Sequence, residues 1–262
     1  MRLEVRWNGS DAERAQASAN ELIGLSPSVI LSGNSIASEA FRKNANTIPI
    51  VFTTASDPVG SGLVRSLARP GGNITGFANF DFSMGGKWLE TIQEVSPDVR
   101  RVLVVTQPGN IGSQGLVEAV EAAAPALHAQ LIITTAFDTP EIERAINDFA
   151  REPNGGLLVL PGAATGRRDL IVRLAMQHRL PAMYTLRPFI ASGGLMSYDV
   201  NLVDHYRRAA AYIDRILKGE KPAELPVLNT TKFKLTINLK TARAIGLNVP
   251  LTLLARADEL IE

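Results

Sequence analysis

The sequence predicts an α/β protein built from doubly wound parallel sheets, and three observations support that fold class. Short β-branched, apolar runs alternate with longer amphipathic stretches along most of the chain, which is typical of βαβ units. The runs RVLVV (101–105) and GLLVLP (156–161) are continuously apolar, as expected for parallel strands buried on both faces. Roughly nine strand–helix units exceed one ordinary sheet, so two lobes are the economical arrangement. A closed eight-stranded βα barrel is the alternative.

Each element is predicted from its local pattern. The predicted strands are RLEVRW, SVILSG, IPIVFTTA, NITGFANF, RRVLVVTQ, LIITTAF, GGLLVLPG, PAMYTL and GLMSYD. The predicted helices are DAERAQASANELIGL, SIASEAFRKNA, GSGLVRSLA, SMGGKWLETIQEV, GLVEAVEAAAPALH with a bend near Pro125, EIERAINDFA, RRDLIVRLAMQHR and LVDHYRRAAAYIDRILKG. After Pro222 the chain becomes extended and rich in Pro and Thr, and it ends in a small predicted helix, LLARADELIE. We expect this tail to wrap over the body formed by the rest of the chain.

Composition excludes several classes of protein. The 262 residues are 45% hydrophobic and 20% charged, which is ordinary for a globular chain. The net charge is +1 and no basic block occurs, so nucleic acid is not an expected partner. The chain has no cysteine, which rules out disulfides and thiolate metal sites. No apolar run approaches the ~20 residues of a membrane span, and the opening residues lack the apolar core of a signal peptide.

The common catalytic and cofactor motifs are also missing. His128, His178 and His205 show no metal-binding spacing. Neither a G-x-S-x-G elbow nor a G-x-x-x-x-G-K-[ST] phosphate loop occurs. Gly60-Ser61-Gly62 begins a dinucleotide-type pattern, but Arg65 stands at the third glycine position. We therefore expect no metal and no cofactor, and we interpret these glycines as easing a turn from strand to helix.

Five strand-to-helix junctions are made of small or polar residues. They are SGNS (32–35), TTASDP (53–58), TQPGN (106–110), LPGAAT (160–165) and YTLRP (184–188). All follow predicted parallel strands, and ligands of open α/β sheets bind outside the carboxyl ends of such strands. Helix N-termini at these ends favour anionic or carboxylate ligands. Each residue alone is better explained as an ordinary turn or capping residue, whereas convergence of all five loops would favour a binding site.

A few single residues allow two interpretations. Asp57 precedes Pro58, which suits a helix N-cap better than a catalytic base because no partner acid or histidine follows nearby. The aromatic residues Phe80, Tyr184 and Tyr198 could stack on an aromatic ligand or pack in the core. Arg187 could clamp a ligand carboxylate or lie solvated at the surface.

Three long stretches resemble one known family. IPIVFTTASDPVGSGLVRSLARPGGNITGF, GGLMSYDVNLVDHYRRAAAYIDRILKGEKPAELPV and TKFKLTINLKTARAIGLNVPLTLLARADELIE are similar to ABC-transporter substrate-binding proteins related to the tryptophan and aromatic amino-acid binding proteins. The resemblance implies a type I periplasmic-binding-protein fold, with two lobes, three crossovers and a ligand cleft between the lobes. The implied lobes are 1–79 with 187–225, and 80–186 with 226–262, with crossovers near Asn79 to Asp81, Leu186 and Pro226.

The resemblance also implies a function and a set of binding residues. Such proteins deliver a small solute to an ABC transporter permease, act in the periplasm and catalyse nothing. By matching motif positions, the implied cleft residues are Gly33, Asn34, Ser35, Ser56, Asp57, Gln107, Asn110, Gly162, Ala163, Ala164, Thr165, Tyr184 and, in MSYDVN, Ser197, Tyr198, Asp199 and Asn201. We add Phe80 and Arg187 from their positions. A small, possibly aromatic or carboxylate-bearing ligand is expected.

Two departures from the family pattern bear on this prediction. The chain opens at what resembles the second strand of the family, so the signal peptide and first βα unit are expected to be missing. An exposed sheet edge, and a dimer or a swapped oligomer, would follow. Asp199 stands where many members carry glycine, and Asn201 stands at the acidic position of amino-acid-binding members. Two alternatives stay open: an α/β enzyme acting on a small carbonyl or sugar, and a stand-alone ligand-sensing domain of the same fold.

Overall fold

The chain folds into two compact units. The computed structural model describes residues 2–8, 11–45, 47–79, 83–106, 111–136, 138–162, 166–230 and 232–262. The first unit comprises Met1–Asp81 and Asn201–Thr231, and the second comprises Phe82–Val200 and Lys232–Glu262. The chain therefore passes between the units three times, after residues 81, 200 and 231. Within the described ranges, no helix combines the length and apolar character that crossing a membrane requires.

The first unit is a four-stranded parallel sheet with helices packed against it. Its strands are β1 Ile30–Ser32, β2 Ile50–Ala55, β3 Ile74–Ala78 and β9 Leu228–Asn229, in the order β1-β2-β3-β9. Its helices are α1 Ala12–Gly24, α2 Ser35–Asn44 and α8 Leu202–Leu217. Two apolar clusters bury this sheet. One contains Phe41 and Phe52, and the other contains Phe77, Tyr212 and Ile216.

The second unit contains a seven-stranded sheet. Its strands are β4 Arg101–Val105, β5 Gln130–Thr134, β6 Gly155–Val159, β7 Ala182–Tyr184, β8 Met196–Val200, β10 Phe233–Asn238 and β11 Glu259–Ile261, in the order β11-β10-β8-β7-β6-β4-β5. Its helices are α3 Met84–Val95, α4 Ile111–Ala123, α5 Thr139–Phe149, α6 Arg168–Gln177, α7 Pro188–Ala191, α9 Leu239–Ile245 and α10 Leu251–Arg256. Only the β8–β10 pair is antiparallel among the described pairs. Two open sheets, rather than a closed barrel, confirm the predicted fold class.

The borders between the units differ from the predicted ones. Residues 187–200 were expected in the first lobe, but β8 pairs with β7 and with β10 in the sheet of the second unit. Residues 226–231 were expected in the second lobe, but β9 pairs with β3 in the first. Backbone pairing with a sheet decides which unit a segment joins, and this pairing is not visible in the local sequence pattern.

Three predicted elements are wrong. RLEVRW forms no strand, and its Leu3 and Trp7 are 76% and 85% exposed. GSGLVRSLA forms consecutive turns instead of a helix, because Gly62 adopts a left-handed φ of 69° that ends the first turn. The helix in LLARADELIE ends at Arg256, and the last residues form β11. The backbone N–H of Asp258 donates to the carbonyl of Leu235, and the Asp258 carboxylate accepts from the N–H of Leu235, so this segment is held against β10. The tail thus adds strands to both sheets rather than wrapping over them.

Candidate functional site

The carboxyl end of β1 is a rigid polar loop in the first unit. The carbonyl of Gly33 accepts a hydrogen bond from Thr54 Oγ1 on the neighbouring strand, at 2.8 Å. Asn34 then caps α2, since its side-chain oxygen accepts from the backbone N–H of Ala37 at 2.8 Å. Ser35 is the first residue of that helix. Three predicted binding residues are therefore adjacent here, and a helix N-terminus opens beside them.

The loop after β2 carries Ser56 and Asp57. The Asp57 carboxylate accepts from the backbone N–H of Gly60 at 2.7 Å, which is the bond expected of a cap. The capped segment is a single turn closed by a hydrogen bond from the Ser61 N–H to the Asp57 carbonyl at 3.0 Å. Ser56 is buried, whereas the Asp57 side chain is half-buried. Capping thus uses one Asp57 oxygen, while ligand contact by this residue stays a prediction.

Two buried acceptors at this end of the first sheet were not predicted. The Oδ1 atom of Asn79, just after β3, and Nε2 of His205 in α8 have no hydrogen-bond partner among the described residues. His205 is 1% exposed, and its Nδ1 lies 2.8 Å from the carbonyl of Thr53, so Nδ1 carries the proton and Nε2 is an acceptor. Burial lowers the pKa of His205 and the bond to Thr53 opposes this. The sequence could have indicated that His205 is buried, because its spacing from Ala209, Tyr212 and Ile216 places all four on one face of α8.

The second unit has a topological switch point between β4 and β6. From β4 the chain moves outward to β5, and it then returns to β6 on the opposite side of β4. Loops diverge at such a point and leave a crevice outside the strand ends, where α/β proteins bind ligands. Thr106, directly after β4, is 6% exposed, and its Oγ1 has no partner in the described part of the chain. Gly162, after β6, adopts a φ of 139°.

Several predicted binding residues are not described by the structure. Phe80, Gln107, Asn110, Ala163, Ala164 and Thr165 lie outside the described residues. Five of these six belong to the loops that begin with Thr106 and Gly162. Their part in a site therefore stays a prediction from the resemblance.

A charged cluster lies on β8, β10 and β11 in the second unit. Arg187 binds Glu259 with both terminal nitrogens, at 2.6 and 2.7 Å, and Lys234 Nζ lies 2.5 Å from the same carboxylate. These two cations lower the pKa of Glu259 to about 2. Lys234 is also directly opposite Asp199 in the β8–β10 register. The guanidinium predicted to clamp a ligand is thus already bound to a carboxylate of the chain.

Asp199 itself is a buried acid. It is 5% exposed, and burial raises its pKa to about 6, although a hydrogen bond from the Arg187 backbone and the charges of Arg187 and Lys234 act in the opposite direction. The neighbouring Ser197 is fully buried, and its Oγ has no partner within the described ranges. In the β8–β10 register, Asp199 lies opposite Lys234 and Ser197 lies opposite Thr236.

Of the predicted aromatic residues in the second unit, Tyr184 is buried in the core and Tyr198 is half-buried. Tyr184 is 1% exposed and stacks on Phe189 with ring centroids 4.6 Å apart, and burial raises the pKa of its hydroxyl. Tyr198 meets Phe233 edge-on at 6.0 Å, and its carbonyl accepts from Trp88 Nε1 at 3.2 Å. The expectation that Tyr184 lines a site is therefore corrected, because its side chain lies in the core.

Asn201 begins α8 as its N-cap. Its side-chain oxygen accepts from the backbone N–H of Asp204 at 3.2 Å. The position predicted from the resemblance to contact the ligand is thus held by a neutral residue that caps the helix. Within the first unit, the loops after β1 and β2 and the start of α8 offer hydrogen-bonding groups and helix N-termini, which suit binding of a small polar ligand.

Comparison with known proteins identifies the family of the chain. A family model described as ABC transporter substrate binding protein matches residues 2–261. A protein named tyrosine-binding protein, from Clostridioides difficile strain R20291, is 20% identical over 247 residues, which are 94% of this chain and 71% of that protein. A crystal structure of a conserved domain protein from Vibrio cholerae O1 biovar El Tor N16961 is 27% identical, with a TM-score of 0.89 over 95% of this chain and 84% of the other.

A second solved structure is an ABC domain from Streptococcus pneumonia in complex with L-Trp. It is 22% identical, with a TM-score of 0.87 over 96% of this chain and 86% of the other. The predicted type I periplasmic-binding-protein fold and the predicted family are thereby confirmed. The chain belongs to the family of ABC transporter substrate-binding proteins.

Proposed function

We propose that this protein is the solute-binding component of an ABC importer. The observation that carries the proposal is the family match over residues 2–261. Polar loops at the carboxyl ends of β1 and β2, and the switch point between β4 and β6, support it. In this proposal the two units close over a small ligand by a hinge motion, and a membrane permease receives the closed form. Receiving solute for import places the protein outside the cytoplasmic membrane, in the periplasm.

The ligand that we propose is an aromatic amino acid or a closely related aromatic carboxylate. Two similar proteins support this class: one is named tyrosine-binding protein, and the other was crystallised in complex with L-Trp. Helix N-termini at Asn34 and at Asn201 favour a carboxylate. Asn201 carries no charge to balance an ammonium group. An acidic residue at position 201 would favour amino acids over aromatic carboxylates that lack the ammonium group. Because Asn201 is neutral, we expect the difference in affinity between these two kinds of ligand to be smaller.

Binding without catalysis is part of the same proposal. In the loops after β1 and β2, the side chains of Asn34 and Asp57 each accept a hydrogen bond from the backbone, and both act as caps. An α/β enzyme would require a titratable pair facing a substrate, and a sensing domain would require a further signalling segment.

A thermal-shift and calorimetry panel tests the proposed function. The panel contains L-tyrosine, L-tryptophan, indole-3-acetate, L-leucine and ribose, with the last two as aliphatic and sugar controls. A ligand at about 100 times its Kd stabilises the folded form by about 2.7 kcal/mol, so the aromatic compounds should raise the Tm. If no aromatic compound shifts the Tm, or if any compound is chemically converted, the proposal is wrong.

We also propose that the protein self-associates through the open edge of the first sheet. Within the described ranges β1 pairs only with β2, and residues 2–8 have no backbone partner in a sheet. Exposed Leu3, Val5 and Trp7 alternate there with charged residues. In an antiparallel pairing of two such segments Glu4 would oppose Arg6. Light scattering should give a dimer, and Trp7→Glu should give a monomer.

A further inference from the structure

Tyr206 stands out as an exposed aromatic residue at the carboxyl edge of the first sheet. It lies in the second turn of α8 and is 46% exposed, whereas Tyr212 on the same helix is buried. A Cβ atom added to Gly33 would lie 3.2 Å from the Tyr206 hydroxyl oxygen. The hydroxyl end of the ring therefore rests against the glycine that follows β1, and the absence of a side chain at position 33 leaves it room.

Two adjacent residues of β2 fix both partners of this contact. The carbonyl of Thr53 accepts from Nδ1 of His205, the residue before Tyr206, at 2.8 Å. The hydroxyl of Thr54 donates to the carbonyl of Gly33, at 2.8 Å. Because His205 is buried, the backbone that carries Tyr206 is held against the strand. The ring is consequently presented by a rigid support, which is what a preorganised binding surface requires.

The ring also continues an apolar surface. Leu202 and Val203, one turn earlier on α8, are 39% and 66% exposed. An exposed apolar patch beside polar loops is typical of a binding surface. The neighbouring groups are the helix cap Asn34 and the half-buried Thr54, so an aromatic face and hydrogen-bonding groups occur side by side.

We propose that Tyr206 is a specificity-determining residue, whose ring packs against the aromatic ring of the ligand. This inference rests on the proposed function. It assigns the preference for aromatic over aliphatic ligands to a residue of the first unit that is absent from the binding residues predicted from the sequence. Tyrosine suits this role because it supplies a large, stiff contact area with few rotatable bonds.

The test measures Kd by calorimetry for L-tyrosine, L-tryptophan and L-leucine. The variants are Tyr206→Ala, Tyr206→Phe and, as a matched control, Leu217→Ala, which removes a 52% exposed apolar side chain at the far end of the same helix. Tyr206→Ala should weaken binding of the two aromatic amino acids about 3- to 10-fold, as expected for loss of an aromatic pair. Binding of L-leucine should change less than twofold. Tyr206→Phe and Leu217→Ala should leave every Kd within about twofold of wild type.

The outcomes separate this inference from the proposed function. If the wild-type protein binds none of the probes, the proposed function is wrong and the inference falls with it. If the wild type binds the aromatic amino acids and Tyr206→Ala binds them equally well or more tightly, only the inference is overturned. The same holds if L-leucine loses as much affinity as L-tyrosine. Because Tyr206 is half exposed, Tyr206→Ala should keep the wild-type Tm within a few degrees, and circular dichroism checks this.

Discussion

The chain passes from the second unit to the first between Val200 and Asn201, and a buried titratable residue lies on each side of this passage. Asp199 is an acid whose pKa burial raises to about 6, and His205 is a base whose pKa burial lowers. Burial acts against the charged form in both, but the effects on stability have opposite signs. Two residues six positions apart in the chain thus give their units opposed responses to pH.

The signs follow from proton linkage. The folded second unit holds the Asp199 proton more tightly than the unfolded chain, so this contribution to stability is complete below pH 3.8 and is lost as the pH rises through about 6. The folded first unit binds the His205 proton less tightly, so its contribution is present above pH 6.5 and is lost as the pH falls. Between about pH 4 and 6.5, acidification should lower the stability of the first unit and raise that of the second.

Removing the His205 side chain should have the largest effect. His205→Ala deletes a ring that packs 5.9 Å from Phe77 and leaves the carbonyl of Thr53 without its donor. We expect a loss of about 2–3 kcal/mol in the free energy of unfolding of the first unit. Hydrogen exchange read by mass spectrometry reports each unit separately, and protection should fall in β2 and β3.

The control for this variant is His128→Asn. His128 is exposed, and its backbone lies in the left-handed region with a φ of 50°, a conformation that asparagine tolerates. This change should stay within about 0.5 kcal/mol of wild type. Equal losses for the two variants would show that the buried bond of His205 does not support the first unit.

Asp199→Asn should remove the opposed pH response of the second unit. The amide cannot ionise, so the variant avoids the cost of a buried charge. Its free energy of unfolding, relative to that of the wild type, should therefore increase as the pH rises from 4 to 7. A gain on the order of 2 kcal/mol is expected, because the pKa of Asp199 rises from 3.8 to about 6 on folding and each pKa unit corresponds to about 1.4 kcal/mol. Urea unfolding at one-unit pH steps measures this difference, and the titration of Glu259 cancels in the subtraction. A constant difference across this range would contradict a raised Asp199 pKa.

Glu259→Gln should weaken the charged cluster of the second unit by about 1 kcal/mol. Arg187 and Lys234 would both lose their shared carboxylate, and partial exposure limits the value of each pair. Since its pKa is lowered to about 2 from 4.5, the wild-type contribution is present above pH 4.5 and is lost as the pH falls towards 2. Glu94→Gln is the control, because Glu94 pairs only with Arg256 among the described ion pairs. The difference between the two variants should shrink in about 1 M salt.

Local sequence patterns predicted the strands and helices of the fold well, and long-range contacts explain what they missed. An apolar run such as that of β6 is buried wherever it pairs, so its pattern suffices. RLEVRW has an equally good strand pattern but no partner in the described sheet. The border near Val200 depends on which sheet β8 joins. The contact of Gly33 with Tyr206 spans more than 170 positions, so no spacing could suggest it.

The candidate site was predictable to a similar extent. The residues that cap turns or helices, Asn34, Asp57 and Asn201, could be found because capping is a local property. Tyr184 could not be assigned, since a strand-end tyrosine looks the same whether it faces a ligand or stacks on Phe189. The pairing of Arg187 with Glu259 joins residues 72 positions apart, and an arginine that is free in sequence is bound in the fold.

The smallest expected effect compares one cap in each unit. Asp57 caps a single turn in the first unit, whereas Asp138 caps α5 in a reciprocal capping box with Glu141. Asp57→Ala should cost about 0.5 kcal/mol and Asp138→Ala about 1 kcal/mol, because only the second cap supports a full helix. Urea unfolding measures both, and Asp57→Asn should restore the first loss since the amide keeps the acceptor. If Asp57→Asn restores stability but still weakens binding of an aromatic amino acid, the free Asp57 oxygen contacts the ligand. If binding is unchanged as well, Asp57 caps the turn and does not contact the ligand.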